Sequence, residues 1–152
     1  DYSNALRTIS PLVDLFPGHP FFTFLKAETL AKMGNWEEVN IMRPRLKYFS
    51  QNGPFLQRNE CELKLRYIDA LKAFTQKDYN KVLKETNWII NNYHMEFDWL
   101  LGFAYMIRAK TFNKLNMSDL ALKNYNSIIK LNNYFPEIKE AENLINSSSI
   151  KQ

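Results

Sequence analysis

The sequence has little of what most specialised chemistries require. Its one cysteine excludes an intrachain disulfide and any thiol-rich metal site. Four glycines and six prolines in 152 residues exclude collagen-like and low-complexity chains. His19 and His94 are the only histidines, each in a stretch of turn residues, and neither has a cysteine or second histidine three or four positions away to complete a helical metal site. No Gly-rich phosphate loop, exposed-serine elbow or histidine-glutamate metal motif occurs. The expectation is a chain that is not an enzyme and that carries no metal and no cofactor. No apolar run is long enough to span a bilayer, since even Phe97 to Phe112 is interrupted by Asp98, Arg108 and Lys110. The residues after Asp1 lack the basic region, apolar run and cleavage site of a signal peptide, and Cys61 fits either an oxidising or a reducing compartment, so localisation is left unassigned.

What is present is helical punctuation. Apolar residues recur at three- and four-residue spacing, and period-two alternation is nearly absent, which predicts an all-α fold. Turn-forming clusters fall at 16–20, 33–35, 50–54, 77–78, 91–92, 116 and 132–136. Between them the spacing predicts helices at 2–15, 20–33, 36–49, 57–76, 79–91, 96–114, 118–131 and 136–146. Four segments share one pattern: Asp1 to Leu6, Asn35 to Val39, Asp78 to Leu83 and Met117 to Leu122. In the first three an aromatic (Tyr2, Trp36, Tyr79) stands three residues before a small apolar residue (Ala5, Val39, Val82), and in the fourth Ser118 precedes Ala121. The aromatic would close a tight turn between antiparallel helices, and the small residue would let the second helix approach the first.

On these segments the chain resembles the tetratricopeptide repeat family, most clearly over Lys114 to Leu131, where Ala121, Tyr125 and Ile128 stand at the family's second-helix positions and Gly102, Tyr105, Ala109 and Phe112 approximate its first helix. The resemblance implies an α-α superhelix, a solenoid of about three antiparallel hairpins: a partial unit at 1–15, full units at 20–49, 57–91 and 96–131, a cap at 136–146 and a flexible tail at 147–152. It also implies an array cut on its N-terminal side. Pro11 and Pro44 fall inside second helices and should kink or shorten them. Glu137, Lys139, Glu140, Glu142 and Asn143 would give the cap one polar face. Carrying over the family's first-helix stripe gives a concave partner-binding groove lined by Phe21, Phe24, Glu28, Lys64, Tyr67, Leu71, Phe103, Met106, Lys110 and Asn113.

The remaining chemistry-bearing residues have plain structural readings. Glu37 and Glu38, and Glu60 with Glu62, are expected in first helical turns, where acidic groups oppose the helix dipole. Cys61, flanked by Glu60 and Glu62, should be inert. Most of the 22 aromatics, Trp36, Tyr79, Trp99, Tyr105 and Tyr125 among them, are expected in helix packing rather than on a stacking platform. The net charge of +4 is mild, but Arg43 to Lys84 holds ten basic residues against four acidic ones. The leading expectation is therefore a non-enzymatic scaffold that binds a peptide or protein partner. The alternatives are an RNA-associated helical repeat using the basic band, although nucleic acid is the less favoured partner, and a self-assembly module. A weak homodimer through the N-terminal helix face of Tyr2, Ala5, Leu6, Ile9, Leu12 and Val13 is also expected.

Overall fold

A computed structural model describes residues 1–93, 99–131 and 136–149 of the chain. Expectations that touch His94, the helix start at 96, the turn at 132–135, the side chains of Glu137 and Ser148, or residues 150–152 lie outside the described residues. Among the described residues there are eight helices and no strand: α1 Tyr2–Leu15, α2 Pro20–Lys32, α3 Trp36–Asn52, α4 Phe55–Thr75, α5 Tyr79–Asn91, α6 Trp99–Lys114, α7 Ser118–Lys130 and α8 Pro136–Ser149. None is long and apolar enough to cross a membrane.

Helix starts follow the cap chemistry. Asp1 accepts from the amides of Ser3 and Asn4, Asn35 from Glu38 and Asp78 from Lys81, each satisfying a donor that the first turn leaves open. Asn35 and Glu38 also join side chain to side chain at 2.7 Å, closing the cap of α3 from both ends. Pro20 opens α2, where its missing N–H costs nothing.

Three expectations are corrected. α3 runs three residues beyond 49, because Ser50 Oγ and Asn52 Nδ2 bond back to the carbonyls of Lys47 and Tyr48 and keep the last turn helical. Of the kink or shortening expected at Pro11 and Pro44, the shortening does not occur in α1 or α3; both prolines are exposed, as are Arg7 and Asn40, whose carbonyls lose their amide partner, so water can satisfy them. Ser147 to Ser149, expected to lie in a tail, belong to α8.

The chain divides into two compact units, Asp1–Lys72 and Ala73–Gln152, with the division inside α4. Consecutive helices pack as neighbours: α1 on α2 and α2 on α3 in the first, α5 on α6, α6 on α7 and α7 on α8 in the second. In the first unit α4 meets α2 through Phe24 and Tyr67, whose rings lie 6.3 Å apart, and α3 through the Arg43–Asp69 ion pair at 2.7 Å. In the second, Met106, Ala109, Phe112, Ala121, Tyr125, Ile128 and Ala141 form one core, on which Ile138, Leu144 and Ile145 of α8 pack. The outward residues of α8, Lys139, Glu140, Glu142 and Asn143, are exposed.

The turns after α2, α4 and α6 share one backbone design. Gly34, Lys77 and Asn116 have φ of 79°, 60° and 59°. Each donates its N–H to the carbonyl three residues back (Ala31, Phe74, Asn113), and the next residue donates to the carbonyl five back (Leu30, Ala73, Phe112). This is the Schellman closure, and its last residue, Asn35, Asp78 or Met117, is also the N-cap of the following helix. The left-handed residues are 43 and 39 positions apart, as are the markers Val39, Val82 and Ala121. The same offsets superpose Ala27, Ala70 and Ala109, all wholly buried, and Leu46, Ile89 and Ile128, all wholly buried. One hairpin register is thus repeated three times.

The left-handed backbone is natural for Gly34 and costs a side-chain-bearing residue about 1 kcal/mol or more. A Cβ at Gly34 would meet nothing within 4 Å, so only this backbone cost operates there. Gly34→Ala is expected to lower stability by about 1 kcal/mol and Lys77→Gly to raise it by about 0.5 to 1 kcal/mol, shifts of roughly 1 to 4 °C in Tm, read by thermal denaturation.

Candidate functional site

Six of the ten stripe residues belong to the first unit and four to the second. The repeat offsets align them in sets: Phe21, Lys64 and Phe103; Phe24, Tyr67 and Met106; Glu28, Leu71 and Lys110. The stripe therefore follows the repeat spacing, but its members differ in exposure. Phe24 and Lys64 have no accessible surface, and Tyr67, Glu28 and Met106 keep 3%, 5% and 5%. These five are interior residues and present almost nothing to a partner. Phe21, Leu71, Phe103, Lys110 and Asn113 retain surface.

In the first unit the stripe faces of α2 and α4 meet around a buried cation. The Lys64 ammonium lies 5.3 Å from the ring centroids of both Phe21 and Phe24 and pairs with Glu60 one turn earlier. Ring quadrupoles and a carboxylate together compensate the desolvation of the charge. The aromatic packing continues toward the α1–α2 turn through Phe21–Phe22 at 5.8 Å, His19–Phe22 at 4.7 Å and Phe16–Phe22 at 6.0 Å. His19 is the residue before α2, as its turn position predicts. Glu28 pairs with Lys32 at 2.7 Å.

Glu60 and Glu62 are not in a first turn, because α4 begins at Phe55. They pair instead with Lys64 and Arg66, four residues on. Glu37 and Glu38 do occupy the first turn of α3. Cys61 sits one turn before Lys64 with no accessible surface. Burial, opposed by Lys64 and aided by Glu60, pushes its thiol up to about 11.

In the second unit Phe103 packs edge-on against Trp99 at 5.6 Å, Lys110 pairs with Glu140 of α8 at 2.6 Å, and Asn113 donates to the Tyr125 hydroxyl at 2.9 Å. Burial, then Glu140, raises the Tyr125 phenol above its usual range, and the Asn113 bond opposes them. Arg108 lies 5.5 Å over Phe112, and burial pulls its guanidinium below its usual range. Among the described residues no group of three or more His, Cys, Asp or Glu side chains is placed to hold a metal ion.

Sequence reasoning missed the Lys64 cage. Lysine within an otherwise apolar stripe, one helical turn after glutamate, was the available signal. On α1, Val13 is buried, Ala5, Leu6, Ile9 and Leu12 are half-buried and Tyr2 is exposed. Comparison with family models, characterised proteins and solved structures finds no match to this chain.

A thiol whose folded value is raised stabilises the fold fully below its unfolded value of about 9, and that contribution is lost as pH rises through about 11. Native protein at pH 8 is expected to leave Cys61 unmodified by a disulfide reagent, with full modification in denaturant. Stability should decline between pH 9 and 11 less steeply in Cys61→Ala, as denaturant titrations at each pH would show.

Proposed function

We propose that this chain is a tetratricopeptide-like α-solenoid, a non-enzymatic scaffold that binds a peptide or protein partner along its first helices. The observation that carries the reading is the single hairpin register, with its three left-handed turns and its matched buried positions. Hairpins of one register bury their faces against neighbours and, stacked as a right-handed superhelix, offer an extended surface that one hairpin cannot. Within that reading each unit offers contacts of its own: Phe21 and Leu71 retain surface in the first, and Phe103, Lys110 and Asn113 in the second. The interior members, Phe24, Lys64, Tyr67 and Met106, hold the stripe in place.

A second reading rests on charge. Within Arg43 to Lys84, Arg43, Lys64 and Arg66 are paired with Asp69, Glu60 and Glu62, while Arg45, Lys47, Arg58, Lys77, Lys81 and Lys84 are exposed. Lys81 and Lys84 fall three residues apart on one face of α5, with Lys77 in the turn before it, and these lysines could follow a phosphate backbone.

Selection from a random-peptide library, followed by amide shift mapping, tests the first reading. Bound peptides should perturb residues around Phe21 and Leu71 of the first unit or around Phe103 and Lys110 of the second, and Phe103→Ala should weaken those at the second by about tenfold with little dependence on salt. Perturbation confined to α5, with oligonucleotide affinity falling steeply with salt, would favour the second.

The partner's chemistry is constrained further. The family's chaperone-tail members grip a terminal carboxylate with basic and amide side chains, where this chain has Phe24, Glu28, Ile68, Phe103 and Ile107. All but Phe103 are buried. An acidic chaperone C-terminal peptide is expected not to bind in calorimetry, and micromolar binding lost in Phe103→Ala would contradict this.

A further inference from the structure

We infer that α3 is a self-association face, pairing antiparallel with α3 of a second copy about a two-fold axis at Ile41. Ile41 is 73% exposed, the most exposed large apolar side chain among the described residues, and Tyr48 on the same helix is 61% exposed. Glu37, Ile41, Arg45, Tyr48 and Asn52 are all exposed and fall within about 80° of arc at 3.6 residues per turn, one narrow stripe along α3. The repeat register shows that apolar residues at these two positions are particular to α3. At the positions equivalent to Ile41, α5 and α7 carry Lys84 and Lys123; at those equivalent to Tyr48 they carry Asn91 and Lys130, all exposed. At these two positions α5 and α7 are thus polar, while α3 places isoleucine and tyrosine there; α7 exposes Leu120, Leu122 and Ile129 at other positions.

The charges on the stripe select the occupant and its direction. With Ile41 on the axis, an antiparallel partner brings Arg45 to the height of Glu37 on both sides of the seam, two opposite-charge pairs by symmetry. An in-register parallel partner would set Glu37 against Glu37 and Arg45 against Arg45. Glu38 is already held by the Asn35 cap and Arg43 by Asp69, so Glu37 and Arg45 are the charges that the stripe offers. The same antiparallel register brings Tyr48 to Gly34, where a Cβ would meet nothing within 4 Å, beside Met33, itself 46% exposed. The seam therefore has an aliphatic centre, a charge pair on each side and a tyrosine over a side-chain-free turn at each end. A seventeen-residue helix is about 25 Å long, so the buried area is at or below the low end of stable interfaces, about 1,200 Å², and the dimer is weak.

Sedimentation equilibrium of the full chain from about 5 to about 500 µM should show a monomer–dimer equilibrium with a dissociation constant in that range. Ile41→Glu and Glu37→Arg should each weaken it by about tenfold with helicity unchanged, and Glu37→Arg combined with Arg45→Glu should restore it. Ile41→Cys should couple to its own copy through a short bismaleimide. Tyr48→Cys should not, because its two copies would lie about 21 Å apart along the seam. A monomer throughout the range, a dimer indifferent to Ile41→Glu, failure of the double reversal to restore association, or equal coupling of the two cysteine variants would overturn the inference.

Discussion

A left-handed residue at the end of the first helix of each hairpin fixes the rest of the structure. Its 5→2 bond and the 6→1 bond of the next residue stop one helix and make that next residue the cap of the following one. The turn thereby fixes which positions of the second helix face the first. The residues five beyond Gly34, Lys77 and Asn116 are Val39, Val82 and Ala121, and all three are buried. Seven residues further on are Leu46, Ile89 and Ile128, buried in turn. Only the first turn uses glycine; the other two hold lysine and asparagine in the strained region, and the neighbouring packing compensates.

The two units fill their interiors differently around that shared backbone. In the second, the cluster around Tyr125 is otherwise apolar, with that hydroxyl held by Asn113, and Glu85, Thr86, Thr111 and Asn124 are buried elsewhere in the unit. The first buries an ammonium between two phenylalanine rings and a glutamate. A buried pair of this kind adds little net stability but disfavours alternative packings in which either charge would lie alone. It ties α4 to α2 at one rotation of α4, which also leaves Asp69 where Arg43 of α3 reaches it.

Helix positions were legible in the sequence because the caps are local. Asp1, Asn35 and Asp78 each announce a helix start, and the structure uses each as one. The extension of α3 to Asn52 was not legible, since Ser50 and Asn52 are turn formers whose side chains here bond to the preceding turn instead. The stripe on the first helices follows the same 43- and 39-residue offsets as the turns, because it was placed by spacing alone. Its accessibility was not, because periodicity cannot separate a face that meets the next helix from one that meets solvent: Phe21 and Phe24 are three residues apart, yet one is exposed and the other wholly buried. The ion pairs of Glu60 and Glu62 were misread because α4 starts two residues earlier than its punctuation suggests, at Phe55, directly after Gly53 and Pro54.

The claim on which the account depends is that three hairpins close through the same backbone bonds. Residue-resolved amide hydrogen exchange tests it most directly, because each 6→1 bond protects an amide that an ordinary loop would leave open. The amides of Asn35, Asp78 and Met117 should exchange as slowly as those in the adjoining helix ends. Exchange of any two of them at the rate of an exposed loop would contradict the shared register.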